Sequence, residues 1–143
     1  MPGRRKATEK SAKKRCRIRF PSLRLILYIV ERLKRRYPQD SIAVISGDAL
    51  GSIITSARYA ARYTRGPCRR KKLVAAATLF YEAIMSHPLT DGNKRLAVVL
   101  LRAFLRANRL KQPDFAYEAA VRVARGEWNV DDIVRWLLRA QRA

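Results

Sequence analysis

The sequence is poor in the residues that build metal centres and redox motifs. Its 143 residues include two cysteines and one histidine, His87. Cys16 and Cys68 lie too far apart for a CxxC motif, which excludes a zinc knuckle or a thioredoxin-like dithiol. We therefore expect two packing thiols. A disulfide between them, of the kind found in hyperthermophile proteins, is the lesser alternative.

Long apolar runs and acidic residues are also scarce. No stretch approaches the roughly 18–20 apolar residues of a membrane span, and the charged N-terminus does not resemble a signal peptide. We therefore expect a cytoplasmic protein with no membrane contact. The 32 Lys and Arg residues outnumber 11 Asp and Glu residues, which gives a formal charge of +21. Such a charge attracts polyanions, although an arginine-rich proteome explains it equally well.

The charge pattern divides the chain into two parts. Residues 1–19 hold nine Lys or Arg residues and one Glu, so we expect a basic, disordered tail that contacts nucleic acid non-specifically, followed by a domain over 20–143. Within "CRIRF", the alternation of Cys16, Ile18 and Phe20 indicates a short strand.

The remainder of the sequence has helical periodicity and predicts an all-α fold of about six helices. The first helix starts behind Ser22 and stops at Pro38, and the last starts behind Asn129. The others are expected over about 48–64, 69–86, 93–108 and 114–125. The Ala-rich third helix should be central, and "LAVVLL" predicts that the fourth is deeply buried.

The stretch "SHPLTDGNKR", residues 86–95, interrupts this pattern between the two most apolar helices. Pro88 disfavours a helical conformation at His87, so the preceding helix should end there. Gly92 permits a left-handed turn, and a new helix follows at once. The exposed N–H groups and dipole of that helix start can bind an anion. A cation in its first turn, Arg95, is unfavourable there unless an anion is present.

The polar residues of this loop suit phosphate transfer. His87 can act as a general base, and Asp91 can bind Mg²⁺. Asn93 and the helix amides can hold phosphate oxygens, and Arg95 can stabilise the charge that develops during transfer. Taken one at a time, each residue is explained as well by a turn, a helix cap or a solvated charge. Their concentration between two apolar helices favours a site.

These residues also resemble a known motif. "HPLTDGNKR" is similar to HxFx[D/E]GN[G/K]R, the signature loop of the Fic/Doc family, and weaker similarity covers about residues 22–140. The resemblance implies a compact helical bundle with the loop between two central helices. It also implies His87 as catalytic base, Asp91 as Mg²⁺ ligand, and Gly92, Asn93, Lys94 and Arg95 as contacts of ATP.

Lys94 resembles the Doc branch, whose members are toxins of toxin–antitoxin modules. By that resemblance the function is phosphoryl transfer from ATP to a Ser or Thr of a target protein, such as a translation factor, with a separate acidic antitoxin as partner. The alternatives are AMP transfer to a protein hydroxyl and a degenerate nucleic-acid-binding protein. Leu89 replaces the family's usual Phe, and Val98 replaces a second arginine that is common in AMP-transferring members. The segment "RGPCRRKK" is expected at the flap that docks the target.

Overall fold

The computed structural model describes residues 15–143, which form six α-helices. Their bounds are α1 Leu23–Arg36, α2 Gly47–Arg62, α3 Cys68–Met85, α4 Asn93–Ala107, α5 Ala116–Ala124 and α6 Val130–Arg142. The described part of the chain contains no β-strand, and the prediction of an all-α fold is confirmed. None of its helices is long and apolar enough to cross a membrane.

Three of the six helices begin where the sequence supplies a capping side chain. The hydroxyl of Ser22 accepts a hydrogen bond from the Leu25 N–H at 3.0 Å, and Ser46 caps α2 through the Ala49 N–H in the same way. At α6, Asn129 and Asp132 form a reciprocal capping box. Each contact satisfies a backbone donor that the helix itself leaves unpaired. These local signals explain why the expected helix starts lie close to the observed ones.

The core is organised around α3, which packs against α2, α4, α5 and α6. Three consecutive alanines, Ala75, Ala76 and Ala77, have no exposed surface. Since alanine has the smallest side chain a helix favours, neighbouring helices can approach α3 closely on several sides. The central position of α3 and the burial of α4 were both expected from the sequence.

The two tryptophans attach the last helix to this core. The ring of Trp136 on α6 lies 5.8 Å from that of Phe80 on α3, measured between centroids. Trp128 packs on the other side of Trp136 at 5.7 Å. Both contacts have the tilted geometry that aromatic pairs prefer.

Residues 15–20 correct one expectation. Cys16, Ile18 and Phe20 turn towards the domain while the residues between them are exposed, so the alternation is real. The segment nevertheless forms no strand. Its backbone binds a side chain instead, since the Arg19 N–H donates to Asn108 Oδ1 at 2.8 Å and the Asn108 amide donates back to Arg19 O at 3.0 Å. Residues 15–19 are therefore fixed to the domain, whereas the rest of the proposed basic tail, 1–14, lies outside the described residues.

The expectation of two unpaired thiols is wrong, because Cys16 and Cys68 form a disulfide. Their Cα atoms are 5.2 Å apart, within the range that a disulfide requires. The bond joins the N-terminal segment to the first residue of α3. It encloses α1 and α2 in one covalent ring, which restricts the unfolded chain more than the folded one.

We predict that loss of this bond destabilises the domain. For a sequence separation of 52 residues, loop-closure entropy gives about 4 kcal/mol of stabilisation. Urea unfolding of the oxidised protein, with and without dithiothreitol, should show this difference. A Cys16→Ser/Cys68→Ser variant should match the reduced protein and should not respond to the reductant. Equal stability in all four measurements, together with two titratable thiols in the untreated protein, would contradict the prediction.

Candidate active site

The histidine lies at the end of the central helix, in a strained conformation. Helix α3 stops at Met85, and His87 has a φ of 48°, in the left-handed region that non-glycine residues rarely adopt. The following Pro88 excludes the right-handed helical alternative, as expected. His87 is exposed while Pro88 is buried. The imidazole of His87 therefore faces solvent, and the chain enters the core at the next residue.

Leu89 anchors the loop in the core with only 1% of its surface exposed. Its backbone is held by Asn93, which lies in the first turn of α4. The Leu89 N–H donates to Asn93 Oδ1 at 2.9 Å, and Asn93 Nδ2 donates to Leu89 O, also at 2.9 Å. The Asn93 amide thus fixes the loop geometry, and a phosphate contact by the same amide remains a prediction.

A second backbone segment, residues 41–45, holds the outer side of the loop. Val44 and Leu89 form an isolated antiparallel bridge. The Ile45 N–H donates to Pro88 O at 2.8 Å, and the Thr90 N–H donates to Ala43 O at 2.9 Å. The Thr90 hydroxyl also donates to Ser41 O. The loop is consequently fixed by main-chain bonds on one side and by Asn93 on the other.

The position of this segment corrects the expectation for "RGPCRRKK". Residues 65–72 lie at the start of α3, whereas the loop follows its end. A helix of 18 residues is about 27 Å long, so residues 65–72 do not lie beside His87. Residues 41–45 lie there instead.

A pocket of about 140 Å³ opens at the N-terminus of α4. The predicted site residues that line it are Asp91, Gly92, Lys94 and Arg95, and the structure adds Asp40 and Tyr117. Gly92 occupies the N-cap position of α4 with a φ of 83°. Because glycine has no side chain, no N-cap side chain accepts a hydrogen bond from the first N–H groups of the helix. The pocket therefore combines the positive end of a helix with two cations.

The cation in the first turn of α4 already has a partner within the chain. Arg95 Nη1 lies 2.5 Å from Asp40 Oδ2, and the guanidinium carbon lies 3.8 Å from the centroid of the Tyr37 ring. The hydrogen bond to Asp40 raises the pKa of Arg95 above its usual value, so the guanidinium stays charged. The expectation that Arg95 requires an external anion is therefore wrong, because the carboxylate of Asp40 already offsets the unfavourable helix dipole.

The carboxylates of the pocket fit a magnesium ion bound together with phosphate. Asp91 is exposed, and its Oδ1 accepts the Gly92 N–H at 2.7 Å. Asp40 lines the same pocket. One or two carboxylates completed by phosphate oxygens and water are the usual ligands of protein-bound Mg²⁺. No group of three or more potential metal-binding side chains occurs within residues 15–143.

Sequence reasoning missed Asp40, Tyr37 and Tyr117. Asp40 is separated from Arg95 by 55 positions, and a lone aspartate after a helix has no local signature. Tyr117 follows α4 on the far side of another loop. Only correlated changes between distant positions in related sequences could have connected these residues with the motif.

The fold and the loop define a class: helical proteins in which a short loop with an exposed histidine leads into a polar pocket at a helix N-terminus, although His87 itself is not among the residues that line the pocket. The chain belongs to the Fic/DOC family, because a model of that family matches residues 21–105, more than half of its length. The matched region contains α1 to α3, the loop and nearly all of α4. A comparison with curated proteins finds no match. Membership indicates a transferase that modifies proteins by AMPylation or phosphorylation, in a family that generally binds ATP with Mg²⁺.

We predict that Leu89 is a large contributor to stability despite its place in a loop. Replacing a fully buried leucine with alanine leaves a cavity and costs about 2–5 kcal/mol. Leu89→Ala should therefore shift urea unfolding strongly. Met85→Ala, which truncates a partly exposed apolar side chain four residues earlier at the end of α3, should cost much less. Equal effects of the two substitutions would show that Leu89 does not anchor the loop.

Proposed function

We propose that the protein is a Doc-like toxin that transfers the γ-phosphoryl group of ATP to a Ser or Thr hydroxyl of a target protein. The observation that carries the proposal is the fixed loop, which holds the exposed His87 in a strained conformation and whose last residues, Asp91 and Gly92, line a cationic pocket at the start of α4. Family membership supports a protein-modifying transferase. The choice of phosphoryl transfer and of a toxin is the proposal's own.

His87 acts as the base in this reaction. An imidazole exposed at the surface can reach the hydroxyl of a chain that docks from outside, and its ring nitrogen can accept the hydroxyl proton. His87 takes the hydroxyl proton as the hydroxyl oxygen bonds to the γ-phosphorus. The bond between that phosphorus and the β,γ-bridging oxygen breaks, and ADP leaves with both electrons of that bond.

The start of α4 holds the phosphates. Its N–H groups, Lys94 and Arg95 supply positive charge along one wall of the pocket, which stabilises the transferring group. Asp91, with Asp40 nearby, would hold Mg²⁺. When bound, this ion neutralises phosphate charge. Asn93 keeps these groups in register with His87 because it ties Leu89 to the first turn of α4.

Two positions favour phosphoryl over AMP transfer. Lys94 lines the pocket. It occupies the motif position at which AMP-transferring relatives usually have glycine. Val98, at the position of their second arginine, is buried with 7% of its surface exposed. A side chain at position 98 therefore lies in the core and is not placed to bind a second phosphate.

The surface beside the loop suggests where the target docks, and the charge of the chain suggests the kind of antitoxin. Residues 41–45 are extended beside the loop, and Ser41, Ala43 and Ile45 are exposed, so this segment is a candidate to align an extended target chain, such as a segment of a translation factor. A formal charge of +21 favours an acidic antitoxin as the restraining partner.

Labelled ATP tests the reaction. Incubation with candidate acceptors should transfer label from the γ position and not from the α position. His87→Ala should lower the transfer rate by about 10²–10⁴-fold, since general base catalysis contributes that much, and should remove toxicity in growing cells. Ser86→Ala, at the preceding exposed position, is the matched control and should retain both activities.

Three results would contradict the proposal. Label transferred only from the α position would establish AMP transfer. A His87→Ala variant that remains toxic would exclude the catalytic role of the histidine. Nucleic-acid binding with no transfer from either position, at concentrations where circular dichroism shows an intact fold, would favour a degenerate binding protein.

We also predict that Asp40 limits the affinity for nucleotide. Its carboxylate repels phosphate and occupies Arg95, so in the absence of Mg²⁺ Asp40→Asn should bind ATP about two- to fivefold more tightly, as expected for a partly exposed charge. Isothermal titration calorimetry measures this directly. Asp131→Asn removes the same charge on the exposed first turn of α6 and should leave the affinity unchanged. Weaker binding by Asp40→Asn would show that Asp40 chiefly positions Arg95.

A further inference from the structure

The outer face of α2 carries a pair of stacked, exposed tyrosines. The rings of Tyr59 and Tyr63 lie 6.0 Å apart between centroids and are inclined by only 10°. They are 57% and 72% exposed. Arg62 approaches the Tyr63 ring at 5.9 Å. Exposed rings in parallel, with a cation beside them, provide a flat surface on which another planar ring can stack.

Two hollows flank the arginines of this face. One of about 170 Å³ is lined by Thr55, Arg58, Tyr59 and Arg62. The other, of about 460 Å³, lies towards the N-terminal segment and is lined by Cys16, Ile18, Phe20, Arg58, Ala61, Arg62 and Lys71. Arg58 and Arg62 line both hollows, so the two form one continuous surface. We call this surface, together with Tyr63, which stacks on Tyr59, the α2 surface.

Positive charge at this end of the molecule is not balanced by local acids. Residues 49–81 contain seven Lys or Arg residues and no Asp or Glu, and residues 15–30 contain four Arg and no acid. The salt bridges found within residues 15–143 involve none of these eleven cations. The disulfide between Cys16 and Cys68 brings the two segments together, and their charges reinforce each other.

We propose that the α2 surface binds single-stranded nucleic acid, with bases stacked on Tyr59 and Tyr63 and phosphates along Arg58, Arg62 and Lys71. Aromatic rings combined with a basic groove are the elements by which proteins hold single strands without sequence preference. An acidic protein would match the charge but gain little from two solvent-exposed parallel rings. A duplex hides its base faces, so the tyrosines would not contribute to its binding.

The α2 surface is separate from the candidate active site. It occupies the C-terminal end of α2, while the segment that pairs with the loop precedes the N-terminal end of that helix. Tyr59 lies twelve residues from the start of α2, about 18 Å along its axis. Binding should therefore survive His87→Ala and does not depend on the proposed reaction.

Fluorescence anisotropy with a labelled oligouridine of about 16 nucleotides tests the proposal on the full chain. Tyr59→Ala/Tyr63→Ala should weaken binding roughly tenfold or more, from lost stacking. Tyr28→Ala, at an exposed tyrosine on α1, is the control and should have no effect. Arg62→Ala should reduce the slope of log K against log salt by about one, whereas Arg32→Ala, beside Tyr28, should not.

Inorganic polyphosphate, which has no bases, separates stacking from charge. Its affinity should be unchanged by Tyr59→Ala/Tyr63→Ala. Oligouridine binding that is absent, or equally strong in the tyrosine variant and the wild type, would overturn the proposal. An equal loss of affinity for polyphosphate or for polyglutamate would also overturn it, because it would assign the face to polyanions or acidic proteins in general.

Discussion

The candidate site depends on the burial of one loop side chain, Leu89. Its side chain enters the core, and its peptide groups are bound by Asn93 on one side while Val44 lies opposite on the other. These contacts set where α3 ends and where α4 begins. They also hold His87 in a backbone conformation that a free loop would leave, since an isolated residue in the left-handed region relaxes readily. The leucine is shorter than the aromatic residue usual in the family, yet it is completely buried, so the loop has kept its anchor.

The fold was largely predictable because its signals are local. Two helix starts follow from Ser22 and Asn129, whose side chains cap the backbone three residues ahead, and helix ends follow from Pro38 and the Pro88 loop. The apolar periodicity of α3 and α4 indicated the central layer, and the polar cluster between them indicated the site. Interactions within about four positions of each other leave a pattern that one sequence is sufficient to reveal.

The remaining features depend on pairs of residues that are distant in sequence. Asp40 meets Arg95, Cys16 meets Cys68, and residues 41–45 meet the loop only after the helices have packed. None of these pairs has a local signature. The alternation in residues 16–20 correctly indicated one side facing the domain and one side facing solvent. The prediction of a strand was wrong, because the side chain of Asn108 binds this backbone and no neighbouring strand does. The role expected for residues 65–72 was wrong for the same reason. These residues are near the motif in sequence, but the length of α3 separates them from it in space.

The disulfide has a further, topological consequence. Residues 16 and 68 close a ring that contains α1, α2 and the edge segment 41–45, while His87 and the start of α4 lie outside it. A protease that cuts the exposed turn between α1 and α2 therefore leaves both fragments joined, and the nick becomes visible only on a reducing gel. During synthesis the ring can close once residue 68 has left the ribosome, and its closure requires neither the loop nor the start of α4, which emerge later.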